Sequence, residues 1–224
     1  MSALGTYLLL VLSWAAYFAI HSLLASPRLK TRAARLGPAI ARRYRLAYNI
    51  VAVVLLVPPL WLTVAADGPW VIRWTGPLWW LAQGAALAAV ATFLWSVRRY
   101  DMGHFLGTRQ WRGEAITDSG VEPWEPLRLE GLHRYVRHPW YFLGLIILWT
   151  RDMHVAGLIT ATAATVYLVV GSRLEERKLL ASYGTVYATY RQRVPGLIPL
   201  PGRHLTPAAA RKLMDQANGE GSAQ

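Results

Sequence analysis

The sequence contains no cysteine, and only 16% of its 224 residues are charged. The absence of cysteine excludes disulfides, thiolate nucleophiles, and zinc or iron–sulfur sites with cysteine ligands. The low charge, together with 54% hydrophobic residues, indicates a chain that is more apolar than an average water-soluble domain. Any chemistry must therefore come from histidine, carboxylates, arginine, tyrosine or a bound cofactor.

Acidic residues are also scarce, with 12 Asp and Glu against 24 Lys and Arg, which gives a formal net charge of +12. Such an excess of positive charge is typical of a protein that binds nucleic acid, or of a protein with large loops on the cytoplasmic side of a membrane. The positions of the charges along the chain distinguish the two classes.

Five apolar segments predict an all-α, polytopic membrane protein, because about 20 apolar residues in a helix cross the hydrocarbon core. The second segment contains Pro58 and Pro59, which we expect to kink the helix rather than end it. The fourth apolar run, 140–150, covers only about 17 Å as a helix, so it either extends back through the basic residues before it or crosses part of the membrane. The predicted helices lie near 4–25, 46–66, 78–97, 137–150 and 154–183.

The basic residues fall in alternate loops of this arrangement, and only Arg73 and Arg151 are left for the opposite side. This asymmetry predicts an N-terminus outside and a C-terminus in the cytoplasm. It also explains the net charge by topology, so we expect no nucleic-acid partner. Residues 1–200 are predicted to form one membrane domain, and 201–224 a cytoplasmic tail that is a short surface helix and partly disordered.

The densest group of polar residues, 131–141, comes immediately before the fourth helix. Pro139 suits the first turn of a helix, so His138 is predicted to stand at the helix start, where the first N–H groups favour an anionic ligand. The alternative is that these basic and aromatic residues only anchor the chain at the membrane interface.

A second polar group follows the fifth apolar segment and contains Glu175 and Glu176. The helix is expected to continue to Tyr183, and Gly184 to cap or bend it. The alternative is a solvated face on which the two glutamates form surface ion pairs, which contribute little stability.

Taken together, the two groups resemble the isoprenylcysteine carboxyl methyltransferase and phospholipid methyltransferase superfamily over roughly residues 95–200. The resemblance is carried by Arg137-His138-Pro139-Trp140-Tyr141, then Glu175-Glu176, Leu179, Tyr183-Gly184, Tyr187, Tyr190, Val194-Pro195 and Pro199. Members are multi-pass membrane enzymes that use S-adenosylmethionine, so the resemblance implies this cofactor, bound at the cytoplasmic side, and no metal. The residues it assigns to cofactor binding are Gln110, His133, Arg137, His138, Pro139, Trp140, Tyr141, Glu175 and Glu176.

The acceptor is expected to be a small thiol or a lipophilic molecule that enters through the lipid bilayer. Members that methylate an isoprenylcysteine carboxylate place an arginine where this chain has Gly171. The segments 100–110, 149–154 and 19–24 are instead similar to bacterial membrane methanethiol S-methyltransferases and denitrification-linked membrane proteins, which implies the bacterial cytoplasmic membrane. No catalytic residue is identified, and Asp101 and His104 are the candidates for removing a substrate proton.

Two other functions are compatible with the sequence. One is a non-enzymatic membrane factor that supports denitrification or electron transfer, with the motif kept as an interface anchor. The other is haem binding through His21, His104 or His138, because neutral histidines in helices can ligate iron.

Overall fold

The computed structural model describes residues 2–114 and 127–221. These residues form nine α-helices, one 3-10 turn at Gly131–Arg134 and two short strands. The helices are α1 (Ala3–Leu24), α2 (Pro27–Arg35), α3 (Pro38–Ala65), α4 (Gly76–Val97), α5 (Met102–Leu106), α6 (Thr108–Arg112), α7 (Pro139–Trp149), α8 (Val155–Arg193) and α9 (Pro207–Gly221). The strands β1 (Trp70–Ile72) and β2 (Met153–His154) pair in antiparallel orientation.

Four of the described helices, α1, α3, α4 and α8, are long and apolar enough to cross a membrane. The all-α, polytopic membrane fold predicted from the sequence is therefore confirmed. Helix α7 is as apolar but has only 11 residues, about 16 Å of helix, which is shorter than a full span requires.

Helix α3 begins at Pro38 rather than near residue 46. Hydropathy marks the part of a helix that suits lipid, whereas Pro38 occupies the first turn and the helix continues through a cationic section before the apolar one. Helix α3 also passes through Pro58 and Pro59 without ending. The Thr63 hydroxyl donates to the Pro59 carbonyl (2.7 Å), which is a side-chain hydrogen bond to the helix backbone in the turn after the two prolines.

Helix α8 consists of two helical parts joined by a kink, and the second part continues to Arg193. The kink lies at Gly184, which has φ 44° and ψ −122°, so the first helical part ends near Tyr183 as predicted and this glycine bends the chain into the second part. Helix α7 begins at Pro139, and the basic residues before it form a 3-10 turn and irregular chain. Of the two alternatives for the fourth apolar run, extension back through the basic residues is therefore not observed, and the helix is short.

The described chain divides into two compact units, and helices α4 and α8 contribute residues to both. The first unit contains α1, α2, α3, α5, α6, both strands and the beginning of α8. In its core Trp14 is 5% exposed and donates its indole N–H to the Thr160 hydroxyl (3.0 Å). Thr160 is in turn 2.6 Å from the Thr63 hydroxyl. This buried chain of hydrogen bonds joins three helices by their polar groups.

The second unit contains α7, α8 from Ala164 onward and α9. Its core is formed by Tyr187 and Tyr190 after the bend of α8, together with Leu129, Leu205 and the buried face of α9. The predicted surface helix of the tail is thus present as α9, but one face of it packs into the core of this unit. Residues 222–224 lie outside the described part, so partial disorder of the tail stays a prediction.

Candidate functional site in the second unit

The backbone brings the two polar groups of the sequence together. The N–H of Arg137 donates to the Pro195 carbonyl (2.9 Å), and the N–H of His138 donates to the Gly196 carbonyl (3.0 Å). This pairing fixes the short extended segment before α7 against the segment that follows α8. Pro139 then starts α7 as expected.

His138 lies between the two glutamates and is 7% exposed. Its Nε2 is 3.1 Å from Oε1 of Glu176, and its Nδ1 is 3.5 Å from Oε2 of Glu175. Burial alone lowers the pKa of His138, but the contacts with Glu175 and Glu176 outweigh it, so the pKa is raised above its ordinary value. Each ring nitrogen of His138 therefore faces one carboxylate.

Arg137 fixes Glu176 from the other side. Its Nη2 and Nε are 2.8 Å and 2.9 Å from the same oxygen, Oε1. The remaining guanidinium nitrogen, Nη1, donates to the carbonyls of Arg191 (2.9 Å) and Val194. With side chains only 11% and 12% exposed, Arg137 and Glu176 form a buried ion pair that ties three segments of the chain together.

Glu175 has a different environment from its neighbour. Its side chain is 50% exposed, and the Tyr141 hydroxyl donates to its Oε2 over 3.4 Å. The Tyr141 ring is stacked on that of His138, with centroids 5.3 Å apart and planes within 11°. Adjacent residues on a helix point about 100° apart, so Glu176 faces the interior and Glu175 is the carboxylate accessible to a ligand.

His133 forms hydrogen bonds that hold the backbone just before α7. The His133 Nδ1 is 3.1 Å from the Arg137 carbonyl. The Tyr190 hydroxyl donates to the backbone carbonyl of His133 (2.7 Å). Burial lowers the pKa of His133 to about 4, so the ring is neutral near pH 7 and Nδ1–H is the donor. The predicted cofactor-binding residues Pro139 and Trp140 lie in the first turn of α7, where Pro139 is buried and Trp140 is half-buried.

The structure also shows supporting residues that the sequence did not indicate. The N–H of Leu205 donates to the Arg134 carbonyl (2.9 Å), and the Arg134 Nε donates to the Leu205 carbonyl (2.8 Å). A Cβ placed on Gly196 would lie 3.2 Å from Nη2 of Arg137, so a side chain there crowds the buried ion pair. Val194 and Pro195 are among the residues that carry the family resemblance, whereas no feature of the tail sequence predicted a role for Leu205.

The other predicted residues, Asp101, His104 and Gln110, lie in the first unit. Asp101 caps α5 by accepting from the His104 N–H (3.1 Å), and it forms an ion pair with Arg109 (2.8 Å). Gln110 is 2% exposed and donates to the His104 carbonyl (3.1 Å). The roles of Asp101 and His104 in catalysis, and of Gln110 in cofactor binding, stay predictions.

The segment that carries Gln110 is packed closely on α3. The Asn49 amide donates to the carbonyls of Phe105 (3.2 Å) and Leu106 (3.0 Å). Gly107 has φ 88°, and a Cβ on it would lie 2.6 Å from the backbone nitrogen of Leu46. Only glycine fits this approach, which gives a structural reason for part of the 100–110 motif.

Comparison with known proteins finds related sequences over most of the chain. A methanethiol S-methyltransferase of Pseudomonas sp. is 33% identical over 196 residues, covering 82% of this chain and 69% of that protein. The methanethiol S-methyltransferase of Mycobacterium tuberculosis is 34% identical over 199 residues, with coverages of 82% and 74%. Methanethiol S-methyltransferase 2 of Bradyrhizobium diazoefficiens is 32% identical over 210 residues, with coverages of 88% and 74%. No family model matches the chain, and no solved structure matches it.

Proposed function

This chain belongs to the methanethiol S-methyltransferase family, and we propose that it transfers a methyl group from S-adenosylmethionine to a small thiol in a bacterial cytoplasmic membrane. The names of its relatives support a methyltransferase that acts on a thiol. The observation that carries the choice of cofactor is the exposed carboxylate of Glu175, which lies beside Tyr141 and the start of α7.

The residues of the second unit suit the chemical groups of this cofactor. Glu175 offers a carboxylate for the ammonium group, and the N-terminus of α7 favours the cofactor carboxylate. The aromatic rings of Tyr141 and Trp140, both half-buried, offer surfaces for the adenine and for the cationic sulfonium. Glu176 is already neutralised by Arg137 and His138, so we assign it to holding the site in shape.

When bound, S-adenosylmethionine supplies a methyl carbon activated by a positively charged sulfur. The protein's task is then chiefly positioning, because displacement at such a carbon needs alignment more than acid or base catalysis. The Arg137–Glu176 pair and the His138 ring fix the backbone on which Glu175 and Tyr141 stand. Both ring nitrogens of His138 are directed at carboxylates, so His138 is poorly placed to accept a proton from a thiol.

An uncharged thiol suits the surroundings better than a carboxylate acceptor. Small thiols partition into lipid, and the four long apolar helices support a position of this chain in the membrane. The position at which carboxylate-methylating members of the superfamily carry an arginine is Gly171 here, and Arg173 is exposed. The proton of the thiol must be taken up by another group, for which Asp101 and His104 are the proposed candidates.

Calorimetry with detergent-purified protein tests the proposal. We expect micromolar binding of S-adenosylmethionine or its demethylated product, and at least tenfold weaker binding by Glu175→Gln, because only the neutral amide then faces the ammonium group. Asp215→Asn is the matched control, since it removes an exposed carboxylate of α9, and it should bind as the wild type does. Equal affinity of Glu175→Gln and wild type for the cofactor would show that Glu175 does not bind it. Absence of binding by folded wild-type protein would favour the alternative that the chain is a non-enzymatic membrane factor.

A further inference from the structure

Helix α2 carries a row of arginines on one face. Arg28, Arg32 and Arg35 are spaced i, i+4 and i+7, which places them on one side of a helix, and all three are exposed. The row one residue further along contains Leu29, which is half-buried, and Ala33, which is 7% exposed. Helix α2 is therefore amphipathic, with its apolar row turned toward the protein and its arginine row beside it on the surface.

The position of α2 along the chain places it at the edge of the membrane. Only two residues separate it from the end of α1, and only two from the start of α3, and both of these helices are long enough to cross the membrane. The Tyr44 hydroxyl of α3 donates to the Leu24 carbonyl at the end of α1 (2.6 Å). This bond ties the end of α1 to the part of α3 that precedes its apolar section, so we infer that α2 lies where the two helices leave the hydrocarbon region.

The segment itself provides no counter-charge for these arginines. No Asp or Glu precedes Asp67 in the sequence, and Arg42 and Arg43 in the first turns of α3 add further exposed positive charge. Apolar side chains border the same region, with Leu36 72% exposed and Leu23 63% exposed. Exposed arginines next to exposed leucines at a membrane edge suit contact with lipid, whose phosphates and acyl chains are adjacent there.

We propose that the Arg28–Arg32–Arg35 face of α2 binds the phosphate headgroups of anionic phospholipids. A guanidinium group binds phosphate oxygens through two parallel hydrogen bonds, and three such groups along two helical turns match several neighbouring headgroups. A basic segment next to a spanning helix gains about fivefold in affinity for an anionic surface per arginine. The interaction anchors the connection between α1 and α3 and is independent of the methyl-transfer site.

Native mass spectrometry of the full-length protein in detergent tests the proposal by counting lipids bound from an equimolar mixture of phosphatidylglycerol and phosphatidylcholine. The wild type should retain phosphatidylglycerol in preference, and Arg28→Gln/Arg32→Gln/Arg35→Gln should lower that preference at least tenfold. The lysine version of the triple variant keeps the charge and should keep most of the preference. If the glutamine triple variant does not fold, Arg32→Gln alone should lower the preference about fivefold.

The matched control removes the same amount of charge from exposed positions in the second unit, through Arg193→Gln/Arg211→Gln/Lys212→Gln. It should keep the lipid preference of the wild type. An equal loss in both triple variants would show that net charge, and not this face, attracts the lipid. A wild type without preference for phosphatidylglycerol, or a glutamine variant that keeps it, would overturn the proposal, and neither result depends on methyl transfer.

Discussion

Glu175 and Glu176 are neighbours in the sequence, but replacing each with glutamine should affect a different property of the protein. Glu176→Gln leaves the guanidinium of Arg137, which is 11% exposed, without its charged partner. Glu175→Gln removes a carboxylate whose side chain is half exposed. The first substitution should therefore reduce stability, and the second should reduce cofactor binding.

The magnitudes follow from burial. Removing one partner of a buried ion pair costs about 3–5 kcal/mol, because the other charge stays buried. Arg137 keeps its hydrogen bonds to the carbonyls of Arg191 and Val194, so we expect the lower end, about 3 kcal/mol. That corresponds to a fall in Tm of about 10 °C for a chain of this size. Glu175→Gln should cost less than about 1 kcal/mol, as exposed ion pairs do.

Thermal unfolding in detergent and calorimetric titration with S-adenosylmethionine, both carried out on each variant, test this division. Arg137→Lys is an additional test, since lysine keeps the charge but cannot reach Glu176 and two carbonyls at once. It should be intermediate in Tm. A Glu176→Gln protein as stable as the wild type, or a Glu175→Gln protein that loses as much stability as Glu176→Gln, would refute the assignment of the two roles.

Three further substitutions test other parts of the site. Gly196→Ala places a Cβ 3.2 Å from Nη2 of Arg137 and should lower the unfolding free energy by about 1–3 kcal/mol, measured by thermal unfolding; an unchanged Tm would mean that the ion pair yields to the extra atom. Leu205→Ala should cost about 2–5 kcal/mol because Leu205 is 1% exposed, whereas Leu200→Ala, at a position that is 46% exposed, should cost far less; equal Tm values would contradict the packing of the tail. Burial lowers the pKa of His138, but the contacts with Glu175 and Glu176 outweigh burial and raise it, so its contribution to stability is complete below about pH 6.5 and is lost as pH rises through the folded-state pKa. The stability difference between wild type and His138→Gln should therefore shrink as the pH rises above about 6.5, and a difference that grows would show that the contacts lower this pKa instead.

Hydropathy predicted which parts of the chain form long apolar helices better than where those helices begin and end. The apolar part of α3 starts at Leu46, but the helix starts at Pro38 because arginines form helix as well as leucines do. Gly184 was expected to cap or bend α8, and the structure has the bend, after which Val186, Tyr187 and Tyr190 are buried. Burial on the far side of a glycine decides between the two outcomes, and local sequence does not contain that information.

The residues of the candidate site could be predicted from the sequence, but the different roles of the two glutamates could not. Motif spacing brought the segment around His138 and the Glu175-Glu176 pair together, and the structure places them in contact. Which glutamate is buried depends on the direction from which Arg137 approaches α8, and this direction is set by the pairing of residues 137–138 with 195–196. Leu205 contributes because the chain after α8 folds back and hydrogen-bonds to Arg134. The polar composition of that part of the sequence does not predict this contact.

The most direct test of the central claim is transfer of an isotopically labelled methyl group from S-adenosylmethionine to methanethiol by purified protein in lipid nanodiscs, followed by mass spectrometry. We predict that labelled dimethyl sulfide and the demethylated cofactor form in equal amounts, that Glu175→Gln slows their formation at least tenfold, and that Asp215→Asn leaves it unchanged. Folded wild-type protein that forms no labelled thioether from methanethiol or any other small thiol would contradict the claim.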